Sequence, residues 1–243
     1  MLVNQRLIIS GNRSEILDFG NVVLTDCEPL NPDGRNGNAT DEQKKNNRIR
    51  TIQKNKSSFT RYYHANKEQH KHKDKFMTIT FRNLPETIAL CDNELKKFIK
   101  RLKRYTKTEI QYQGIRELQM EALRFGNHYH IIFYNLPFIP HEKLLELWCV
   151  GNPYQDANNR SGVNIKAIQD GLDDVKNYLT SYLLVELLEN DFLQGHKIML
   201  KSKGLKKPSK IDLPEKIYKP QIDEIEKALS FIDNKITYYL LKE

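Results

Sequence analysis

The apolar positions change period several times along the chain, and each change predicts an element. Residues 1–25 alternate short apolar runs, Leu7-Ile8-Ile9 and Val22-Val23-Leu24, with Gly11 and Gly20, which predicts a hairpin or edge strands. Pro29, Pro32, Asp33-Gly34 and Asn36-Gly37-Asn38 follow, and 26–47 reads as a mobile linker. From Arg48 to Asn66, Ile49, Ile52, Phe59, Tyr62 and Tyr63 stand among Arg and Lys at helical spacing, a basic helix leading into the main domain. Phe76-Met77-Thr78-Ile79-Thr80-Phe81, stopped by Asn83-Leu84-Pro85, is a strand.

The pattern then turns helical over Asn93–Tyr105, where Leu95, Phe98, Ile99 and Leu102 form a stripe. Glu109–Leu118 and Tyr129–Asn135 read as an antiparallel hairpin joined by a loop around Arg124-Phe125-Gly126-Asn127. His141–Trp148 reads as a helix, Val163–Ile168 as a strand and Asp173–Leu188 as a helix. The order β-α-β-β-α-β-α predicts an α+β fold, an antiparallel central sheet with helices packed on it. Ile222, Ile225, Leu229, Ile232, Ile236 and Leu240 predict an amphipathic helix over 217–241. The implied organisation is an arm and linker at 1–47, a basic helical lead-in at 48–74, a main domain at 75–210 and a C-terminal helix at 211–243.

Composition narrows the class. The 243 residues carry 39 Lys+Arg against 31 Asp+Glu, a net charge of +8, with 39% hydrophobic residues, enough for a core of ordinary size. No stretch approaches the ~20 apolar residues of a membrane helix, and the first residues lack the form of a signal peptide, so a membrane location is not expected and a bacterial cytoplasm is. Cys27, Cys91 and Cys149 lack C-x-x-C spacing and read as reduced, small hydrophobes. The charge is patterned: 1–40 sums to −2 (three Arg, five Asp/Glu), whereas 43–75 sums to +9 (eleven Lys/Arg, two Asp/Glu). Two more basic blocks follow, Lys96, Lys97, Lys100, Arg101, Lys103, Arg104 and Lys107, then Lys201, Lys203, Lys206, Lys207 and Lys210. Separated basic blocks suit a polyanion, because a phosphate backbone rewards several positive contacts through counterion release.

Two clusters carry candidate chemistry. His128 and His130 flank Tyr129 on a strand, where side chains alternate, so both imidazoles leave the same face. Glu117, on the preceding strand, is placed as a third ligand, with Glu121 as reserve. Two imidazoles and a carboxylate suit Mn²⁺, hydrated Mg²⁺, Co²⁺ or Zn²⁺; the alternative is a pair of half-buried histidines. His70-Lys71-His72 has the same spacing in a Lys-rich polar stretch and is discounted. On the Asp173 helix, Val175, Tyr178, Leu179, Tyr182 and Val185 share a stripe, which puts Tyr178 and Tyr182 one turn apart. Both phenols fit core packing, and both fit a nucleophile acting on a metal-activated phosphate.

Phe76–Phe81, then Arg116-Glu117-Leu118 with Gly126-Asn127-His128-Tyr129-His130-Ile131-Ile132, then Val175-Lys176-Asn177-Tyr178-Leu179-Thr180-Ser181-Tyr182 resemble the three ordered motifs of rolling-circle replication initiators, the HUH endonuclease superfamily. With Leu145–Trp148 and Ser202–Pro208 the likeness covers about 48–210 and points to initiators of small phages and plasmids. The resemblance implies an HUH, ferredoxin-like or RRM-like endonuclease domain. It implies that His128, His130 and Glu117 hold one divalent ion, Mn²⁺ or Mg²⁺, and that Tyr178 attacks the scissile phosphate, leaving a 5′-phosphotyrosine and a 3′-OH. Tyr182 would be a second nucleophile or a packing partner. Single-stranded or hairpin origin DNA would lie along Lys96, Lys97, Lys100, Arg101, Lys103, Arg104, Lys176, Lys203, Lys206 and Lys207.

Ser181 stands where the family carries Lys, Glu186 where a second basic residue often follows, and Cys149-Val150-Gly151-Asn152-Pro153 departs from its Trp-Gly-x-Gly form. No G-x-x-x-x-G-K-[ST] occurs, so a host helicase and polymerase are the implied partners. A non-catalytic DNA-binding module and a single-strand transposase of the same superfamily are the alternative readings.

Overall fold

The computed structural model describes residues 2–24, 40–67, 69–70, 74–83, 85–121, 124–155, 162–168, 179, 197, 199–213, 225–231 and 236–242. The chain divides into two compact units. One comprises Met1–Lys44, Arg61–Ala65 and Lys206–Glu243, the other Lys45–Thr60 and Asn66–Leu205. Helix α1 (Asp41–Asn66) contributes to both. Among the described residues no helix is long and apolar enough to cross a membrane.

The larger unit is the expected α+β layer. Strand β3 (Lys75–Thr80), helix α2 (Ile88–Thr106), strands β4 (Tyr112–Glu121) and β5 (Arg124–Phe133), helix α3 (His141–Cys149) and strand β6 (Val163–Ala167) follow in order, with a short β7 (Met199–Lys201). The sheet runs β6-β3-β5-β4-β7 with every neighbour antiparallel. Each helix therefore joins two strands that have a third between them, the split βαβ arrangement. Strand alternation sends Met77, Ile79, Tyr129, Ile131 and Phe133 into one core with Leu95, Phe98, Ile99 and Leu102 of α2 and Leu144, Leu145 and Trp148 of α3. The helices thus cover one face, and His128, His130 and Glu117 leave from the other.

Local signals fix the helix ends. Thr87 caps α2, its hydroxyl accepting from the Leu90 amide at 3.3 Å, and Lys107 ends it in the left-handed region at φ 51°. α1 begins at Asp41, earlier than the apolar pattern indicated, because Thr40 and Gln43 form a reciprocal capping box. The Gln43 amide donates to Thr40 Oγ1 at 3.2 Å, and the Thr40 amide donates to Gln43 Oε1 at 3.0 Å. Of the expected linker, positions 26–39 lie outside the described residues.

Two expectations are corrected. The β4–β5 ladder continues past the expected loop, pairing Leu118 with Asn127, Gln119 with Gly126 and Glu121 with Arg124. Gly126 and Asn127, turn formers by composition, sit in that ladder because the partner strand supplies their backbone hydrogen bonds. The C-terminal helix over 217–241 is replaced by strands β9 (Ile225–Phe231) and β10 (Ile236–Leu241). With β1 (Leu2–Ser10), β2 (Arg13–Leu24) and β8 (Ser209–Leu213) they form a second antiparallel sheet, ordered β8-β1-β2-β10-β9. The β-branched and aromatic run Ile236-Thr237-Tyr238-Tyr239 fits a pleated surface, and β2 offers it an edge to pair with.

The smaller unit is tied to the end of α1 by a buried polar cluster. Gly11, in the β1–β2 turn at φ +66°, lies so close to the His64 carbonyl that a Cβ on it would overlap that oxygen. Glu15, 3% exposed, accepts from Arg61 at 2.6 Å, from Arg13 at 3.2 Å and from the Tyr238 hydroxyl at 2.8 Å. Burial disfavours the Glu15 charge, but Arg61, Tyr238 and Arg13 together outweigh it and hold the carboxyl below its ordinary value of 4.5. Burial, then the Glu15 charge, pushes the Tyr238 phenol up to about 12 from 10.0. The Glu15 contribution to stability is complete above its ordinary pKa and is lost as pH falls through the depressed one. The Tyr238 contribution is complete below 10.0 and is lost as pH rises from there towards 12. The urea midpoint of the wild type, followed by circular dichroism, is expected to fall on both limbs. Glu15→Gln should flatten only the acid limb and Tyr238→Phe only the alkaline one.

Candidate active site

The open face of the β3–β5–β4 sheet concentrates the candidate chemistry. β5 places Thr78 of β3 opposite His130 and Thr80 opposite His128, while Glu117 of β4 stands opposite His128 from the other side. Thr78 Oγ1 lies 3.1 Å from His130 Nδ1, and Thr80 Oγ1 lies 2.8 Å from His128 Nδ1. With Nδ1 engaged in each ring, the tautomer and orientation leave Nε2 as the outward nitrogen. His130 Nε2 meets the Glu117 carboxylate, and both residues are buried. His128 Nε2 makes no hydrogen bond to any described residue.

The rings stand in a row. Phe76 stacks on His130 at 5.9 Å between centroids, and His128 follows at 6.4 Å with its plane tilted only 13°. Burial holds the His128 imidazole below its ordinary pKa, a nearby Glu117 charge opposes this, and His130 adds to it, so a neutral ring with a free lone pair is favoured. Gly114 sets the β4–β5 spacing here: a Cβ on it would stand 2.5 Å from the His130 carbonyl. Among the described residues no group of three or more His, Cys, Asp or Glu side chains gathers as an ion-holding cluster; the contact is between Glu117 and His130, with His128 alongside. Two imidazoles and a carboxylate on one face, with the inner nitrogens engaged, nonetheless suit a divalent ion in their chemistry.

On the opposite face, the neighbours of these residues are pinned. Arg116, between Ile115 and Glu117, is paired across the ladder with Tyr129, between the two histidines. The Arg116 guanidinium donates to Asp92 of α2, the Tyr129 hydroxyl donates to the same Asp92 oxygen at 2.8 Å, and the guanidinium lies 5.7 Å from the Tyr129 ring centroid. The Arg116 charge is favoured despite burial by Tyr129 and Asp92, and burial pushes the Tyr129 phenol far up. The sequence reading missed both Asp92 and the two threonines. Thr78 and Thr80, at alternate positions of one strand, carry a legible signal; Asp92 is separated from its partners by a helix and carries none.

The other named residues fall in different places. Tyr178, Tyr182 and Lys176 lie outside the described residues; Leu179, between the tyrosines, is helical and fully buried. Glu121 ends β4 opposite Arg124, four positions beyond Glu117. Lys96, Lys97, Lys100, Arg101, Lys103 and Arg104 belong to α2, which packs on the face away from the histidines. Lys97 is paired with Glu94 and Lys103 with Glu109, and Arg101 donates to the Leu147 carbonyl. The structure therefore does not bring this block to the His128–His130 face. Lys203 is exposed in the larger unit, and Lys206 and Lys207 are exposed in the smaller one.

No curated protein and no solved structure shows a significant match to the chain. Residues 74–187, from the first strand of the larger unit through the predicted tyrosine helix, match a family model described as Replication-associated protein, of the ORF2 type. Over that segment the chain belongs to this Rep-like replication-initiator family, and its role lies in the initiation of replication.

Proposed function

We propose that the protein is a metal-dependent enzyme that nicks and rejoins single-stranded or hairpin origin DNA to start rolling-circle replication. The observation that carries this reading is the placement of Glu117, His128 and His130 on one face of two adjacent strands, each histidine held at Nδ1 by a threonine. His128, His130 and Glu117 would hold Mn²⁺ or Mg²⁺. Such an ion, when bound, supplies Lewis-acid polarisation of a phosphate oxygen. The Tyr178 oxygen attacks phosphorus and loses its proton, the bond to the 3′ oxygen breaks, and that oxygen leaves as a 3′-OH while the 5′ end stays on the tyrosine. Tyr182, one turn on, serves as a second nucleophile for rejoining. A host helicase opens the duplex and a host polymerase extends the 3′-OH.

The direct contact between Glu117 and His130 favours a second reading, a non-catalytic DNA-binding module in which that pair is structural. Incubation with Mn²⁺ and a labelled single-stranded origin oligonucleotide separates the two. The enzyme yields a protein–DNA adduct, suppressed by EDTA, whose digested peptide carries the phosphate on Tyr178 or Tyr182. Binding without an adduct supports the module.

A further inference from the structure

Within the larger unit, a cleft of about 660 Å³ opens at the β7 edge of the sheet, between α1 and α2. Three lysines line it: Lys96 from α2, Lys197, and Lys201 at the end of β7. Its one carboxylate, Asp92, is turned to Arg116 and Tyr129 and so does not offset the ammonium groups. Unlike Lys97 and Lys103, which are paired with Glu94 and Glu109, Lys96 has no ion-pair partner among the described residues.

The rest of the lining is polar or aromatic and held in place. Thr51 and Ser58 of α1 supply hydroxyls, and Tyr112 supplies a ring whose phenol burial keeps protonated. The Tyr112 amide donates to Ser202 Oγ at 3.0 Å, and the Ser202 amide donates back to the Tyr112 carbonyl at 2.9 Å. The buried Arg116 guanidinium donates to the Lys197 carbonyl at 3.2 Å, which fixes that lysine at the rim. Asp92, Leu95 and Lys96 come from the helix layer, so the cleft is separate from the His128–His130 face.

Three cations, neutral hydrogen-bonding groups and one aromatic ring match the chemistry of a nucleotide, and the volume lies in the ~300–1,000 Å³ range of small-ligand sites. We infer that this cleft holds a short stretch of single-stranded DNA, anchoring the strand away from the scissile phosphate. The assignment deepens the proposed function and rests on it. Lys96, Lys197 and Lys201 neutralise phosphates, and Tyr112 and the α1 hydroxyls meet the base or sugar.

The test is equilibrium binding of a fluorescent single-stranded oligonucleotide to the full chain, without metal so that no strand is cut, across a salt series. Replacing Lys96, Lys197 and Lys201 together with alanine should reduce the slope of log affinity against log salt by about 2, at ~0.7 per phosphate contact on a single strand. All three lysines are exposed, and the single variant Lys96→Glu repeats the test with one change. It should weaken binding most at low salt. An unchanged slope and affinity in both variants overturns the assignment. So does saturable binding of a free deoxynucleoside monophosphate that the triple variant loses while oligonucleotide binding is unaffected, since the cleft is then a free-nucleotide site. Absence of a tyrosine adduct in the wild type would count against the proposed chemistry alone, because the salt slope is read without cleavage.

Discussion

His130→Ala is expected to abolish Mn²⁺ binding and to lower adduct formation by at least ~10²–10³-fold, the loss that follows removal of one group stabilising charge at a reacting centre. The size follows from position. His130 sits in the middle of the site, bounded by Phe76 and His128 in its own ring row, by Thr78 behind and by the Glu117 carboxylate in front. An alanine removes a ligand and leaves Glu117, 2% exposed, without its imidazole partner. Glu117→Gln is the companion variant: its amide keeps a hydrogen bond to His130, so it preserves the fold while removing the ligand charge. Thr80→Val is expected to act more gently, lowering Mn²⁺ affinity by ~10–100-fold, because it frees the His128 ring without removing a ligand. Calorimetric titration with Mn²⁺ and the adduct assay read both effects. A folded His130→Ala protein that binds Mn²⁺ and forms adduct as the wild type does would remove this face from the chemistry.

The parts of this site that are close in sequence or bound by alternation are those the amino-acid pattern discloses. His128 and His130 share a face because they are two apart on a strand, and the βαββαβ order follows from changes of hydrophobic period between 75 and 168. The parts that fail depend on a distant partner. Ile222 to Leu240 has helical spacing, yet its second half also reads as a β-branched and aromatic strand, and only the open edge of β2, more than two hundred residues earlier, decides between them. Gly126 and Asn127 look like a turn in isolation and are held in a ladder by β4. The seven-residue basic block on α2 is legible as charge but not as a surface. The structure commits Lys97, Lys103 and Arg101 to local partners and leaves Lys96 in the β7 cleft.

Asp92→Ala is expected to lower stability by ~3–5 kcal/mol, the range for breaking a buried ion pair by removing one partner. The Arg116 side chain is fully buried and Asp92 is 28% exposed, so the alanine leaves a guanidinium in the sheet–helix layer with only the Lys197 carbonyl and the Tyr129 ring for company. Tyr129 loses the acceptor of its hydroxyl in the same step. Asp92→Asn keeps one acceptor and should cost less. Removing both charges, as Asp92→Ala with Arg116→Met, should recover part of the loss, because no charge is then stranded. A double-mutant cycle on urea unfolding measures this coupling, and a single-variant cost within ~0.5 kcal/mol, the range of ordinary surface changes, would mean the pair does not form. The same cluster bears on the site. Arg116 and Tyr129 are cross-strand partners one position from the Glu117–His128 pair, and a one-residue slip of β4 against β5 would turn Glu117 to the helix face. Asp92 fastens both partners from behind, so at equal folded fraction Asp92→Ala should also weaken Mn²⁺ binding, through the register of the strands that carry the ligands.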